Sequence, residues 1–259
     1  MNRFWGRKNA DGDDEPEPVA PVSVQPPVDE TYDVTFYALR TGFTAAVSHE
    51  LRTPLARILA LLDSADLPRA DVPGLIDQAR AEVEHAGALI DEILFLSELE
   101  SGKEVVSLGH TNALPVLQDI VRDLQSSATR AGVALEAAGD PDVDVPLRPR
   151  MLRMIVENLA ENAIRYAGHG SVLTLAVART GDAAVVTATD DGAGVDEEAL
   201  PRLFERFYRA DPARTTRGTG LGLAIVKHIV VAAGGEVEAA GAPGRGLQIS
   251  CRFPLTRTR

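Results

Sequence analysis

Apolar residues along the first third of the chain return at helical spacing. Between residue 31 and about 65, Leu39, Phe43, Ala46, Leu51, Leu55, Ile58 and Leu62 follow one another at steps of three to five, bracketing the helical period of about 3.6. The segment "DSADLPRADVP", with Pro68 and Pro73, breaks the pattern. A second helix is predicted from 73 to 100. In it Ile76, Ala79, Val83, Ala86, Ile90 and Ile93 alternate steps of three and four, an a/d seam. Two such helices joined by a short loop make an antiparallel hairpin. On its own the hairpin leaves its seam uncovered. Either two copies close a four-helix bundle, which makes the protein a homodimer, or the stripe packs against the rest of the chain; the homodimer is the expectation carried forward.

After Gly102, a helix-stop signal, the pattern changes. Helices are predicted over 112–131 and 150–167. Two strands follow: "SVLTLAVA", in which Leu173, Leu175 and Val177 alternate, and "AAVVTATD". A helix is predicted over about 221–233. Two closing strands, "GEVEAAG" and "GLQISCRF", complete the set, with Leu247, Ile249, Cys251 and Phe253 alternating in the last. Helices and strands mixed without a regular βαβ repeat point to an α+β two-layer sandwich.

The remaining stretch, residues 1–30, contains "DGDDEPEPVAPVSVQPPVDE", acidic and proline-rich, with almost no large apolar groups. It is expected to be a disordered tail. The chain is therefore expected to divide into a tail (1–30), a helical hairpin (31–103) and a sandwich (104–259). At 259 residues and 45% hydrophobic content it carries enough apolar material for a sizeable core. A net charge of −12 argues against nucleic acid as a partner. One cysteine excludes an internal disulfide. No apolar run reaches the ~20 residues a membrane span needs, so no membrane segment is expected. The expected location is the cytoplasm, any membrane association coming from a partner or from a portion outside this sequence.

Three motifs of the second half carry candidate chemistry. In "ENLAENAIRYA", Asn158, Asn162, Arg165 and Tyr166 share one helix face. An asparagine carbonyl suits a hard cation, an arginine a phosphate, a tyrosine ring a flat base; equally, the asparagines could cap loops or face solvent. In "DDGAG", Asp190 ends a strand, with Gly192 and Gly194 beyond it. That carboxylate could accept a purine amine, although Asp-Gly turns are also ordinary hairpin chemistry. In "RGTGLGLAIVKHIV", Gly218, Gly220 and Gly222 feed a helix N-terminus, a phosphate-binding arrangement. Before it, "PRLFERFYRADPARTTRGTG" offers Phe204, Phe207 and Tyr208 as an aromatic anchor, with 209–219 as either a lid or a plain surface loop.

The order of these motifs resembles the ATP-binding domain of sensor histidine kinases, within the wider GHKL superfamily. "NLAENA" is similar to its N box, "DDGAG" to its G1 box, "LFERFYR" to its F box and "GTGLGLAIV" to its G2 box. The hairpin resembles the dimerisation and histidine-phosphotransfer domain, with "SHELRTPL" as its H box. The resemblance implies a GHKL (Bergerat-type) sandwich that binds ATP and Mg²⁺. It implies Asn162 as the Mg²⁺ ligand with Asn158 in support, Arg165 at phosphate, Tyr166 against adenine and Asp190 on the adenine amino group. Gly192, Gly194 and the run Gly218, Thr219, Gly220, Leu221, Gly222 are implied as pocket and lid walls, and Arg209 as a phosphate contact. Two positions depart from the family pattern: Ala233-Gly234-Gly235 stands where His-Gly-Gly is usual, and Leu247 follows Gly246 where Thr is usual.

In "SHELRTPL", His49 is the implied phosphoryl acceptor. Histidine titrates near neutrality, at about 6.5, and the adjacent Glu50 can orient the ring and take its proton. Thr53 lies four residues on, on the same face. The resemblance makes Glu50 and Thr53 a phosphatase pair acting on a response regulator receiver domain. Pro54 removes the N–H that would meet the carbonyl of Glu50, so a loosened turn is expected at the histidine. The function implied is an ATP-dependent histidine autokinase that passes its phosphoryl group to a regulator aspartate and also dephosphorylates it. The alternatives are a phosphatase-dominant protein and a non-catalytic ATP-binding scaffold.

Overall fold

The computed structural model describes residues 30–68, 70–100, 109–210 and 218–255. Residues Thr41–Arg259 gather into one compact unit, distinct from Met1–Arg40. The acidic stretch 1–29, the stop signal at Gly102 and residues 211–217 of the expected lid lie outside the described residues.

Helices α1 (Glu30–Ala65) and α2 (Val72–Glu100) form the hairpin. Asp71 starts α2 by accepting the Gly74 N–H on its side chain at 3.3 Å, satisfying one of the first-turn donors that a helix leaves unpaired. Pro73 falls within that first turn, where a missing N–H does no harm. Arg57 Nη1 of α1 lies 3.6 Å from Glu82 Oε1 of α2, whose side chain is only 3% exposed, and this pair marks the register of the hairpin. Helix α1 runs on through Pro54, which is buried.

Helix α2 is apolar on two faces. Leu89, Phe95, Leu96 and Leu99 are buried in the same core as the sandwich. Each such side chain contributes roughly 1.5–3 kcal/mol relative to exposure. Ile76, Val83 and Ile90, spaced by sevens on the neighbouring stripe, remain 51%, 57% and 45% exposed, as does Leu94 at 57%. On α1, Leu55, Leu59 and Leu62 are exposed as well.

The sandwich places a five-stranded sheet against α3 (Ala113–Ala131), α4 (Pro149–Tyr166) and α5 (Gly222–Ala232). The strands are β2 (Ala134–Gly139), β4 (Val172–Thr180), β5 (Ala183–Asp190), β6 (Glu236–Gly241) and β7 (Leu247–Pro254). Their order is β2-β4-β5-β7-β6. Strands β2 and β4 run parallel; the other neighbours are antiparallel. A two-residue ladder of β1 (Thr111–Asn112) and β3 (Asp144–Val145) stands apart from the sheet. A short 3-10 turn spans Leu200–Arg202.

Each element follows from its period. In β4, β5 and β7 alternate residues are buried: Leu173, Leu175 and Val177; Ala184, Val186 and Ala188; Leu247, Ile249, Cys251 and Phe253. In α4 the buried set Met151, Leu152, Ile155, Val156, Leu159, Ala160 and Ala163 makes one stripe. That stripe fixes α4 on the sheet and turns its other face outward. Helix α3 ends at Gly132, whose φ of 73° suits the left-handed cap. The sequence expectation of a hairpin followed by a mixed two-layer sandwich matches this architecture. Strand β2 was not expected: "ALEAAG" buries only Leu135 fully and lacks the alternation that marks a strand.

Candidate nucleotide site and phospho-acceptor helix

The polar face of α4, the end of β5 and the glycine segment before α5 enclose a cavity of about 510 Å³. Asn158, Asn162, Arg165, Tyr166, Asp190, Gly194, Arg209, Gly218, Thr219, Gly220 and Gly222 all line it. The helical spacing of the first four, read from the sequence, thus puts them on one wall.

Asp190 lies at the floor and is 8% exposed. Its Oδ1 accepts the N–H of Gly192 at 3.0 Å and of Leu247 at 3.3 Å. Burial pushes its pKa up; those two N–H groups pull it back and neighbouring Asp191 adds to the rise. A carboxylate taken partly out of water but held by backbone donors seeks a further donor.

Glycine is required around this floor. Gly246 has φ 73° and Gly194 has φ 66°. A side chain at Gly246 would strike the carbonyl of Asp190, and one at Gly194 the carbonyl of Ala242. The glycine segment lies directly on α4. A Cβ at Gly218 would sit 2.8 Å from the Tyr166 hydroxyl and 3.1 Å from Arg165 Nη1, and one at Gly222 would sit 2.5 Å from Asn158 Oδ1. Asn158 Nδ2 donates to the Met154 carbonyl at 2.8 Å, which fixes the amide and frees its oxygen to face Gly222.

Two implied positions stand behind the wall rather than on it. Gly192 packs against the Ala167 backbone, and Leu221 is fully buried at the start of α5. Of the aromatic anchor, Phe204 and Phe207 pack on the core. Tyr208 reaches the cavity, with the Arg202 guanidinium 4.3 Å from its ring centre.

Helix α2 also reaches the cavity, which the sequence did not indicate. His85, Ala88 and Glu92 line it. Thr219 Oγ1 donates to Glu92 Oε2 at 2.7 Å and accepts the Leu221 N–H at 3.2 Å. These partners are 127 residues apart, and no local pattern could have paired them.

On α1, the His49 side chain is 75% exposed, and its Nδ1 lies 3.7 Å from Glu50 Oε1. Thr53 Oγ1 donates to the His49 carbonyl at 3.4 Å. His49, Glu50 and Thr53 therefore share one turn with the proline. Eight residues back from Arg57 is His49, and eight on from its partner Glu82 is Ile90. At equal rise on both helices, His49 stands level with the part of α2 that lines the cavity.

The oxygen-rich wall suits a hard divalent cation. Magnesium keeps waters and substrate oxygens and needs only one or two protein ligands, so Asn162 with Asn158 beside it is a fitting donor set. Among the described residues no cluster of three or more acidic, histidine or cysteine side chains forms a metal site of its own. No helix among them is long and apolar enough to cross a membrane.

Comparison with known proteins agrees with this geometry. The "His Kinase A (phospho-acceptor) domain" family model matches residues 39–102. The "Histidine kinase-, DNA gyrase B-, and HSP90-like ATPase" model matches 148–257. The chain is 31% identical over 223 residues to the sensor-like histidine kinase SenX3 of Mycobacterium tuberculosis, a match covering 84% of this chain and 54% of SenX3. It thus spans about half the length of such curated relatives. Full-length ShkA, solved with AMPPNP, superposes with a TM-score of 0.63 at 26% identity, over 81% of this chain and 45% of that one. ThkA, solved with the response regulator TrrA, shares the fold with a TM-score of 0.68 at 18% identity, over 88% and 65%. With a phospho-acceptor domain followed by an ATPase domain, in the order that the motifs indicated, the chain belongs to the sensor histidine kinases of two-component systems.

Proposed function

We propose that the protein is an ATP-dependent histidine autokinase that phosphorylates His49 and passes the phosphoryl group to an aspartate of a response regulator. The carrying observation is the convergence of Asn158, Asn162, Arg165, Tyr166 and Asp190 on one cavity, beside a hairpin that presents His49 to solvent. The hairpin is taken as residues 31–103 and the catalytic domain as 104–259.

Adenine enters with its amino group toward Asp190 and its ring beside Tyr166. The triphosphate runs along α4 toward Arg165, with Arg209, which also lines the cavity, as a second cation. Asn162, supported by Asn158, would hold a magnesium ion, which would supply charge neutralisation at the phosphate oxygens. Gly192 and Leu221 act from behind, by letting the chain turn and by anchoring the glycine segment.

In the transfer, the Nε2 lone pair of His49 forms a bond to the γ-phosphorus. The bond from that phosphorus to the bridging oxygen breaks, and ADP leaves with the electron pair. Glu50 holds the Nδ1 proton throughout, which keeps Nε2 unprotonated before attack and stabilises the ring's positive charge after it. The phosphoryl group then passes to the regulator aspartate; ThkA, which has this fold, was solved with such a regulator. Glu50 and Thr53 flank His49 closely enough to position water against a phosphorylated regulator, so we assign the reverse, phosphatase activity to the same turn. Incubation with γ-labelled Mg·ATP should place acid-labile, base-stable label on the protein. An unlabelled protein that still binds ATP would leave the phosphatase-dominant and scaffold readings.

The exposed stripe Ile76, Val83, Ile90 and Leu94 suits a second copy of the hairpin, because a four-helix bundle would cover it. The double variant V83D/I90D should halve the mass measured by light scattering while leaving the melting of the sandwich in place. A variant that keeps the dimer mass would place the interface elsewhere.

A further inference from the structure

The anionic side chain of α2 inside the nucleotide cavity has no part in the chemistry above. Glu92 lines the cavity beside Arg165, assigned to the triphosphate, and Thr219 of the glycine segment. It accepts the Thr219 hydroxyl at 2.7 Å, and the charge of Arg165 acts on it from α4. We propose that Glu92 is an internal phosphate mimic: its carboxylate holds the phosphate end of the cavity while α2 is seated, and Mg·ATP must displace it to bind. The inference rests on the nucleotide reading and deepens it.

The surroundings fit a competing anion rather than a ligand that helps ATP. Glu161 also faces Glu92 and repels it, and the carboxylates lining the cavity, Glu92, Glu161, Asp190 and Asp196, outnumber its arginines, Arg165 and Arg209. A triphosphate arriving beside Glu92 would add to that repulsion. Burial is the main effect that pushes the Glu92 pKa up, with Glu161 adding to it; the Thr219 hydrogen bond and Arg165 oppose it. The Thr219 hydroxyl and the Arg165 charge are what favour a carboxylate there, and phosphate oxygens would take those same partners.

Displacing Glu92 is not a side-chain event alone. The residues around it on α2, Leu89, Phe95, Leu96 and Leu99, are embedded in the core shared with the sandwich. Thr219 in turn holds the Leu221 N–H at the start of α5. The Glu92–Thr219 bond thus joins the seating of α2 to the shape of the glycine segment. By linkage, what loosens α2 favours the triphosphate, and the triphosphate favours loosening of α2 by the same factor.

The test compares full-length wild type with E92Q, which keeps the side-chain shape and an acceptor for Thr219 but removes the charge. Calorimetry measures Mg·ATP, and ligand-observed NMR measures adenosine, which has no phosphate. The expected result is Mg·ATP affinity about tenfold tighter in E92Q, with adenosine affinity within about twofold of wild type. E92A should behave like E92Q toward both ligands. Mg·ATP affinity that is unchanged or weaker in E92Q, with adenosine binding retained, would overturn the proposal while leaving the nucleotide site standing. Tightening of both ligands equally would also overturn it, since a phosphate competitor acts only on phosphates. If wild type and variant bind neither ligand, the nucleotide reading fails and this inference with it.

Discussion

H49Q should abolish acid-labile phosphoryl labelling while leaving Mg·ATP affinity within about twofold of wild type. Glutamine retains a polar side chain of similar reach but offers no nucleophilic ring nitrogen, so the covalent step has nothing to start from. The rest of the catalytic site is untouched: His49 lies on α1, and among the described residues none that lines the cavity comes from that helix. The side chain is 75% exposed, so its replacement makes no cavity and loses no packing. Stability should change by less than ~0.5 kcal/mol, as for surface substitutions generally. The check is γ-labelled ATP followed by acid and base stability of the label, with calorimetry alongside. Label of the same lability on H49Q would place the acceptor on another residue. E50Q should retain a small part of the activity, because it still orients the ring through an amide oxygen but no longer stabilises the positive charge.

D190N should weaken nucleotide binding by roughly 30- to 1,000-fold, about 2–4 kcal/mol. The replacement keeps an oxygen for the N–H groups of Gly192 and Leu247, so the floor keeps its shape. It then turns an NH₂ toward a ligand amino group, donor against donor, and a buried donor without a partner is expensive. Adenosine should lose as much affinity as ATP, in contrast with E92Q, which acts on ATP alone. Folding provides the control. Burial raises the Asp190 pKa, so ionised Asp190 disfavours the folded state at neutral pH, and stability associated with this group falls as pH rises through its folded value. Removing the charge should therefore leave the melting temperature of the ligand-free protein equal or higher. Undiminished adenosine binding in D190N would move the base-recognition group elsewhere in the cavity.

The parts of this molecule that the sequence discloses are those that bury a face with a simple period. Helix α4 is the clearest case: one stripe of apolar residues sets it on the sheet, so the four polar residues on its other face had to share a wall. Strand β7 is similar, with four buried residues in strict alternation. Strand β2 escaped because it is an edge strand with a single large buried side chain. Glu92 escaped for a different reason. It occupies the polar part of an amphipathic helix, where a glutamate is unremarkable, and it acquires meaning only through a partner 127 residues away. Gly192 and Leu221 show the limit of motif transfer: both were implied as cavity walls, but one is a backbone clearance and the other a core anchor, and neither is among the residues that line the cavity.

The cysteine count and the sheet together give the protein a built-in clock. Cys251 is the one cysteine in the chain and is fully buried in β7, between β5 and β6. Burial pushes its thiol pKa up to about 12, so almost no thiolate exists in the closed state to react. A thiol reagent can then modify the protein only while the middle of the sheet is open. Its second-order rate, divided by that of a free cysteine at the same pH, should read the opening equilibrium directly. Adding Mg·ATP should slow the reaction if nucleotide binds the closed sheet, because ligand and opening compete for the same population. A single native atom would thereby report the breathing of the domain without any substitution.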